Sequence, residues 1–126
     1  MRRILLVDDS RVTRELMKVY LIARDVELLE AADGAEALNA IRRSPPDLVL
    51  ADLQMPRLDG VALCEAMKSD PRLRNVPVLI LTSNRDEESS RRARAAGARE
   101  VLQKPIQPRP LLDAIQRHLA QESSAP

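Results

Sequence analysis

The sequence has very few aromatic residues to fill a core and very few cysteines to crosslink the chain. Tyr20 is its single aromatic residue, and Phe and Trp are absent from the 126 residues. The core must therefore consist of aliphatic side chains, methionine and alanine. Cys64 is the sole cysteine, so it cannot form an internal disulfide, and it favours a reducing compartment. We therefore expect a cytoplasmic protein.

Long apolar segments and an excess of one charge are also missing. No apolar run approaches the roughly 20 residues of a membrane span, and acidic residues follow the N-terminus too soon for a secretory signal. The 20 basic and 19 acidic residues leave a net charge of +1. Such a balance creates no strong field toward nucleic acids or anionic membranes. We expect neither among the partners.

Five short apolar runs alternate with five stretches of helical character, and this order predicts five βα units. The predicted strands cover residues 4–7, 26–29, 48–51, 78–81 and 101–102. Nearly continuous apolar strands are typical of a parallel sheet covered on both faces, and right-handed crossovers place helices on each side. We predict one doubly wound α/β domain over residues 1–122, followed by a short polar tail at 123–126 without an output domain.

Several helix features can also be predicted. The apolar faces expected to pack on the sheet are Val12, Leu16, Val19 and Tyr20 in the first helix and Leu111, Ile115 and Leu119 in the last. Asp33 and Asp59 are candidate N-caps, and the glutamate three residues after Asp33 gives the spacing of a capping box. Gly97 suits a left-handed C-cap. We interpret His118, near the end of the last helix, as a surface residue.

Polar residues stand where four of the predicted strands end. Asp8 and Asp9 follow the first strand, Asp52 the third, Thr82 the fourth and Lys104 the fifth. Ligand sites in open α/β sheets lie beyond the carboxyl ends of the strands, so these side chains should converge. Two carboxylates about 4 Å apart repel by about 4 kcal/mol at an effective dielectric of about 20. A cation must balance them, and carboxylates without histidine or thiolate ligands favour Mg²⁺ over zinc.

This group of side chains also predicts a chemistry. A carboxylate held beside Mg²⁺ and faced by a hydroxyl and an ammonium group can attack phosphorus and form an aspartyl phosphate. Phosphoryl transfer requires mainly positioning and neutralisation of charge, which the cation, Thr82 and Lys104 would supply. Asp52, at the mouth of a buried strand, is the candidate nucleophile.

Taken together, these motifs resemble the receiver domain of response regulators, the CheY-like fold of two-component signalling. The resemblance rests on DD at 8–9, DLQMPRLDG from Asp52, LILTS at 79–83 and KP at 104–105. Each motif is weak alone, but their order at predicted strand ends is specific, and the resemblance covers essentially the whole chain. It implies a flavodoxin-like (βα)5 fold with a five-stranded parallel sheet in the order 2-1-3-4-5.

The resemblance further implies a role for each site residue. Asp52 would accept the phosphoryl group, and Thr82 and Lys104 would contact its oxygens. The peptide bond before Pro105 would be cis. The Mg²⁺ ligands implied by the family are Asp9 and Asp52 directly, Asp8 through water, and Gln54 through its backbone carbonyl.

One position departs from the family pattern. Receivers usually carry Tyr or Phe three residues before the lysine, and that ring turns inward when the threonine moves to the phosphate. This sequence has Val101 there. The usual coupling between threonine and ring therefore cannot operate in its ordinary form, although phosphorylation itself is not put in doubt.

The implied function is a stand-alone receiver rather than an enzyme. It would accept a phosphoryl group on Asp52 from a sensor histidine kinase or a phosphotransfer protein and signal to a downstream effector protein. A phosphorylation-independent interaction scaffold is an alternative that Val101 supports. A Mg²⁺-dependent phosphatase with an aspartate nucleophile is another, but such enzymes carry a second acid two residues on, where this sequence has Gln54. A flavodoxin-like electron carrier would need aromatic residues around a flavin.

Overall fold

The protein, described by a computed structural model over residues 1–83 and 87–123, alternates strands with helices. The strands are β1 (Arg2–Val7), β2 (Val26–Ala31), β3 (Leu48–Asp52), β4 (Val78–Thr82) and β5 (Glu100–Gln103). The helices are α1 (Arg11–Leu21), α2 (Gly34–Arg43), α3 (Gly60–Ser69), α4 (Glu87–Ala96) and α5 (Pro108–Ser123). Of the predicted tail, residues 124–126 lie outside the described residues, and the predicted extent of the domain stays a prediction.

All neighbouring strands pair in parallel, in the order β2-β1-β3-β4-β5, which confirms the predicted fold. Every residue of β3 and β4 is buried, as expected for apolar strands covered on both faces. Each strand is longer than predicted because pairing continues into polar residues beyond the apolar runs. Asp52 pairs with Leu81, and Thr82 pairs with Gln103. The two polar side chains that end β3 and β4 are thus held in register by the sheet.

The sheet separates two aliphatic cores, because successive strand residues point to opposite faces. The core under α2, α3 and α4 includes Val7, Ala51, Ile80, Ile41, Leu63 and Met67. The core under α1 and α5 includes Leu6, Leu50, Leu81, Met17, Leu21 and Leu111. Burying one such side chain contributes about 1.5–3 kcal/mol. Close packing of many of them compensates for the lack of buried rings.

The predicted core face of α1 is confirmed only at Tyr20, which packs against the core under α1 and α5, and is wrong at the other three residues. Val12 and Val19 are 79% and 62% exposed, and Leu16 is 39% exposed. Met17 and Leu21 are the buried residues of this helix, and both pack in the core under α1 and α5. The helix has apolar residues on two sides, so the helical repeat of 3.6 residues does not indicate which side packs on the sheet. The position of β1 and the cap at Ser10 decide which side faces the sheet.

The last helix packs as predicted, except at His118. Leu111 and Ile115 are buried and Leu119 packs against the same core. The side chain of His118 is only 11% exposed, and its Nε2 lies 2.8 Å from Glu100 Oε2. The prediction of a surface histidine is therefore wrong, because the half-buried Glu100 on the edge strand holds this ring against the sheet.

The predicted helix caps are present. Asp33 accepts a hydrogen bond from the backbone N–H of Glu36, and Asp59 accepts one from Ala62, each at 2.8 Å. Gly97 follows α4 with φ of 119°, a left-handed conformation that glycine adopts without a steric penalty. In the part of the chain that the structure describes, the helices are too short or too polar to cross a membrane.

Candidate functional site

Three carboxylates meet at the carboxyl edge of the sheet, as predicted. Asp8 and Asp9 follow β1, and Asp52 ends its neighbour β3. One carboxylate oxygen from each residue lies within 4.8 Å of the others. Convergence follows from topology, because β1 and β3 are adjacent parallel strands whose carboxyl ends reach the same edge.

Lys104 faces these acids from beyond β5. Its Nζ lies 3.0 Å from Asp8 Oδ2 and 3.3 Å from Asp52 Oδ2. The backbone N–H of Lys104 donates to the carbonyl oxygen of Thr82 at 2.8 Å, and the Lys104–Pro105 peptide bond is cis, as the resemblance implied. The structure therefore brings the predicted ammonium group to the predicted carboxylates.

Asp8 and Asp9 differ sharply in their surroundings. Asp8 is fully buried, and its Oδ1 accepts a hydrogen bond of 2.8 Å from the backbone N–H of Ser10. Asp9 is exposed at the mouth of the site. Ser10 caps α1 by accepting from Thr13 at 3.2 Å. Neither acid is the helix cap, so both side chains remain directed to the group of charges.

The electrostatics of the site favour binding of a further cation. Burial raises the pKa of Asp52, the charge of Lys104 opposes this effect, and the nearby charge of Asp8 adds to it. Burial alone would lower the pKa of Lys104, but the hydrogen bond with Asp8 and the charge of Asp52 outweigh it, so that this pKa is raised. Among the described side chains, one ammonium group thus faces three carboxylates.

The residues present fit Mg²⁺. The ligand atoms are carboxylate oxygens, which this hard cation prefers, and the exposure of Asp9 leaves room for the waters that Mg²⁺ usually retains. Asp8, Asp9 and Asp52 are the side chains that could hold it. The backbone N–H of Gln54 favours the charged form of Asp52 and lowers its pKa, against the larger effect of burial. The role predicted for the carbonyl oxygen of Gln54 stays a prediction.

Thr82 ends β4, which lies between the strands that lead to Asp52 and Lys104. It is 2% exposed. Its position at the same edge of the sheet agrees with its predicted place in the site, and its predicted contact with a phosphoryl oxygen stays a prediction.

The loop after Asp52 is held tightly. The backbone N–H of Leu58 donates to the carbonyl oxygen of Pro56 at 2.8 Å, with Arg57 between them at φ of 72°. This geometry is a classic γ-turn, a rare and strained type. Further along, the N–H of Gly60 donates to the carbonyl oxygen of Leu53 at 2.8 Å. Nothing in the sequence signalled the left-handed arginine.

Sequence reasoning also missed a residue behind the acids. Arg14 of α1 donates from Nη1 to the backbone oxygen of Asp8 at 2.5 Å and from Nε to Glu30 Oε1 at 2.9 Å. An arginine six residues after Asp8, in the second turn of the helix, was the available signal. Its partner on β2 depends on sheet register and has no local signal.

Comparison with known proteins agrees with this geometry. Residues 4–116 match the family described as Response regulator receiver domain. A gliding motility regulatory protein of Myxococcus xanthus is 41% identical over 102 residues, which are 81% of this chain and 13% of that protein. The signal receiver domain of a signal transduction histidine kinase from Syntrophus aciditrophicus superimposes with a TM-score of 0.91 and 31% identity, covering 100% of this chain and 96% of that one.

A third comparison bears on the metal. The receiver domain of the sensor histidine kinase PA1611 from Pseudomonas aeruginosa, solved with a magnesium ion coordinated in its active-site cleft, has a TM-score of 0.87 and 28% identity. The alignment covers 94% of this chain and 98% of that one. The group of Asp8, Asp9 and Asp52 is typical of receiver sites that bind Mg²⁺.

The chain belongs to the response-regulator receiver family of two-component signalling. Receiver domains interact with histidine kinases and are typically not classical enzymes. The chain spans between 13% and 54% of the length of the first curated relatives that it matches. The functions of those longer proteins therefore do not transfer to it directly.

Proposed function

We propose that this receiver accepts a phosphoryl group on Asp52 in a Mg²⁺-dependent reaction and passes the signal to a partner protein. The observation that carries the proposal is the position of Lys104 Nζ, 3.0 Å from Asp8 and 3.3 Å from Asp52, facing three acids that share one edge of the sheet. A structural ion pair would need one acid. Three acids and one ammonium group suit a site where a cation and an anionic group meet.

In the proposed reaction a carboxylate oxygen of Asp52 bonds to phosphorus while the phosphorus–nitrogen bond of a phosphohistidine breaks. Bound Mg²⁺ would supply positive charge to the phosphoryl oxygens. Lys104 would bind one of these oxygens as a point charge, and Thr82 would donate a hydrogen bond to another. The donor would be a sensor histidine kinase or a phosphotransfer protein, in the cytoplasm favoured by the unpaired Cys64.

The signal would leave through a downstream effector that recognises the phosphorylated surface. Val101, three residues before Lys104, is half-buried and packs on the core that includes Ala93 and Ala96 of α4. The side chain that would respond at this position is therefore aliphatic. We propose that the effector reads a smaller movement of this strand and helix than a ring would produce.

The test is mass spectrometry of the intact chain after incubation with Mg²⁺ and a small-molecule phosphodonor. We expect one added phosphoryl group in the wild type, none in Asp52→Asn, and none when Mg²⁺ is chelated. Asp59→Asn is the matched control, because Asp59 caps α3 and lies outside the three-acid group. It should be labelled like the wild type.

An unlabelled wild type that binds Mg²⁺ would favour the phosphorylation-independent scaffold. Labelling of Asp52→Asn at the wild-type level would remove Asp52 as the acceptor.

We also propose that the receiver works alone, without a fused output domain. The size of the protein in extracts of its source tests this proposal.

A further inference from the structure

Arg14 connects the acidic site to the edge of the sheet. Its guanidinium group donates to two acceptors in different directions: the backbone oxygen of Asp8 at 2.5 Å and Glu30 Oε1 at 2.9 Å. The Arg14 side chain is only 15% exposed. A largely buried arginine whose planar guanidinium group donates in two directions is restrained at both ends.

Arg14 donates to the peptide carbonyl oxygen of Asp8 and not to its carboxylate. The carbonyl oxygen of Asp8 belongs to the peptide plane that joins Asp8 to Asp9. Because that plane is rigid, a hydrogen bond to its oxygen fixes the direction in which the chain enters Asp9. The carboxylate of Asp8 has its own restraints, from the N–H of Ser10 at 2.8 Å and from Lys104 at 3.0 Å. No hydrogen bond or ion pair of the Asp9 side chain is found among the described residues, so the place of this exposed carboxylate depends on its backbone.

The other end of the fork is also anchored. Glu30 Oε2 lies 2.7 Å from Lys18 Nζ, and Lys18 in turn lies 3.0 Å from Glu15. The hydrogen bond with Lys18 is the main cause that lowers the pKa of Glu30, against the effect of burial and together with the hydrogen bond from Arg14. Glu30 is thus a charged acceptor, and β2 holds it in register beside β1, where Glu30 pairs with Leu6.

We propose that Arg14 is a positioning residue of the metal site: it holds the Asp8–Asp9 peptide so that the carboxylate of Asp9 is ready to bind Mg²⁺. The inference rests on the proposed function, because it concerns the same cation. Charge alone predicts the opposite effect. A positive group near the acids repels Mg²⁺, so removing it would strengthen binding if Arg14 acted only through its charge.

The test compares Mg²⁺ affinity by calorimetry in Arg14→Met and Lys18→Met. Both variants lose one positive charge from the same network, but Lys18 has no hydrogen bond to Asp8 among the described contacts. We expect the dissociation constant to rise about tenfold in Arg14→Met, the lower end of the effect of groups that orient metal ligands. It should be unchanged or lower in Lys18→Met.

A second readout needs no metal. The carbonyl carbon of Asp8, observed by NMR in Mg²⁺-free protein, should shift in Arg14→Met because its hydrogen bond is lost, and should keep its shift in Lys18→Met. Arg14→Lys keeps the charge but not the fork, so we expect an affinity between those of the wild type and Arg14→Met.

Wild-type or tighter Mg²⁺ binding by Arg14→Met would overturn the inference. If that variant fails to fold, wild-type affinity in Arg14→Lys would overturn it instead. A wild type without measurable Mg²⁺ binding would contradict the proposed function itself, which separates the two failures.

Discussion

Lys104 is the residue through which the acids of the site are joined. Its Nζ contacts Asp8 and Asp52, which come from different strands, and it already neutralises part of their charge. Mg²⁺ would enter the same field, so the ammonium group and the metal repel each other. A phosphoryl group adds negative charge, which Mg²⁺ and the Lys104 ammonium group would then neutralise together.

Replacing Lys104 by methionine should therefore change two measurements in opposite directions. Mg²⁺ should bind several-fold more tightly, because a competing positive charge is gone. Phosphorylation by a small donor should become about 100-fold slower, the usual cost of one donor to developing charge. Calorimetry and intact-mass kinetics measure the two effects. The control is Lys68→Met, at an exposed position on α3. Weaker Mg²⁺ binding in Lys104→Met would contradict competition between the two cations.

Asp52 gives a prediction about pH. Burial raises its pKa above the ordinary value of 3.8, against the charge of Lys104 and with that of Asp8. The folded state therefore holds this proton more tightly than the unfolded chain, and the stability it contributes is lost as pH rises through the raised pKa. Without divalent cations, Asp52→Asn should be about 1 kcal/mol more stable than the wild type at a pH of about 7.

The gain in Asp52→Asn should shrink as the pH falls through the raised pKa of Asp52, because the wild-type carboxyl then becomes protonated too. Urea unfolding monitored by circular dichroism measures both. A variant that is less stable than the wild type at neutral pH would show that the buried carboxylate stabilises the fold.

Among individual residues, the sequence predicts the charged side chains of the site better than the residues that hold them in place. Asp8 and Asp52 could be predicted because each directly follows an apolar run, and Lys104 because it lies two residues beyond one. Parallel strands bring such positions to one edge. The contact between Arg14 and Glu30 could not, because it requires the register between β1 and β2, which depends on packing across the whole sheet.

Among the elements, β5 and α5 are joined by a charged cluster away from the acidic site. Glu100 on β5 accepts from both Nε and Nη2 of Arg117, at 2.8 and 2.7 Å, and lies 2.8 Å from His118 Nε2. These contacts connect a short edge strand to the helix that covers one face of the sheet.

The pKa of Glu100 is lowered from 4.5 to about 2, first by the hydrogen bonds from Arg117, against burial, and then by His118. A lowered carboxyl pKa contributes stability above the unfolded value, which is lost as pH falls through the folded value. Glu100→Gln should therefore cost about 1 kcal/mol at neutral pH, allowing for solvent screening. The cost should vanish near pH 2. Glu88→Gln, at an exposed pair with Arg91, should show no comparable loss.

Gly60 sets the close contact between α3 and β3. A Cβ at this position would lie 2.7 Å from the backbone oxygen of Asp52 and 3.0 Å from Leu53 Cα. Gly60→Ala should therefore cost about 1–3 kcal/mol, although alanine favours a helix elsewhere. Displacement of the Asp52 backbone should also slow phosphorylation. Asn39→Ala, at an exposed site on α2, is the control. A midpoint of urea unfolding in Gly60→Ala that equals or exceeds that of the wild type would contradict the close contact.

The helices show where a periodic pattern is insufficient. The faces of α5 and the caps at Asp33 and Asp59 were predicted because each pattern had one solution. In α1, two apolar sides compete, and Val12 and Val19 lie on the exposed one. The choice depends on how the helix leaves β1, which is information about tertiary structure.

For the whole molecule, strand order is the feature that creates the site. Because β1 lies between β2 and β3, the chain winds outward in both directions from the β1/β3 boundary, and the acids from these two strands meet there. A largely aliphatic core between strands and helices holds this edge in place. The order itself could be predicted only through the resemblance to receivers, since alternation of strands and helices is compatible with several orders.

A crystal structure of the chain with Mg²⁺ and beryllofluoride, a stable mimic of an aspartyl phosphate, would show directly whether Asp52 accepts the phosphoryl group. We predict beryllium bonded to a carboxylate oxygen of Asp52, Mg²⁺ coordinated by Asp9, and Lys104 Nζ within hydrogen-bonding distance of a fluoride. Beryllofluoride bound at another residue, or a site that takes up neither ion while the fold is intact, would contradict the proposed phosphoacceptor.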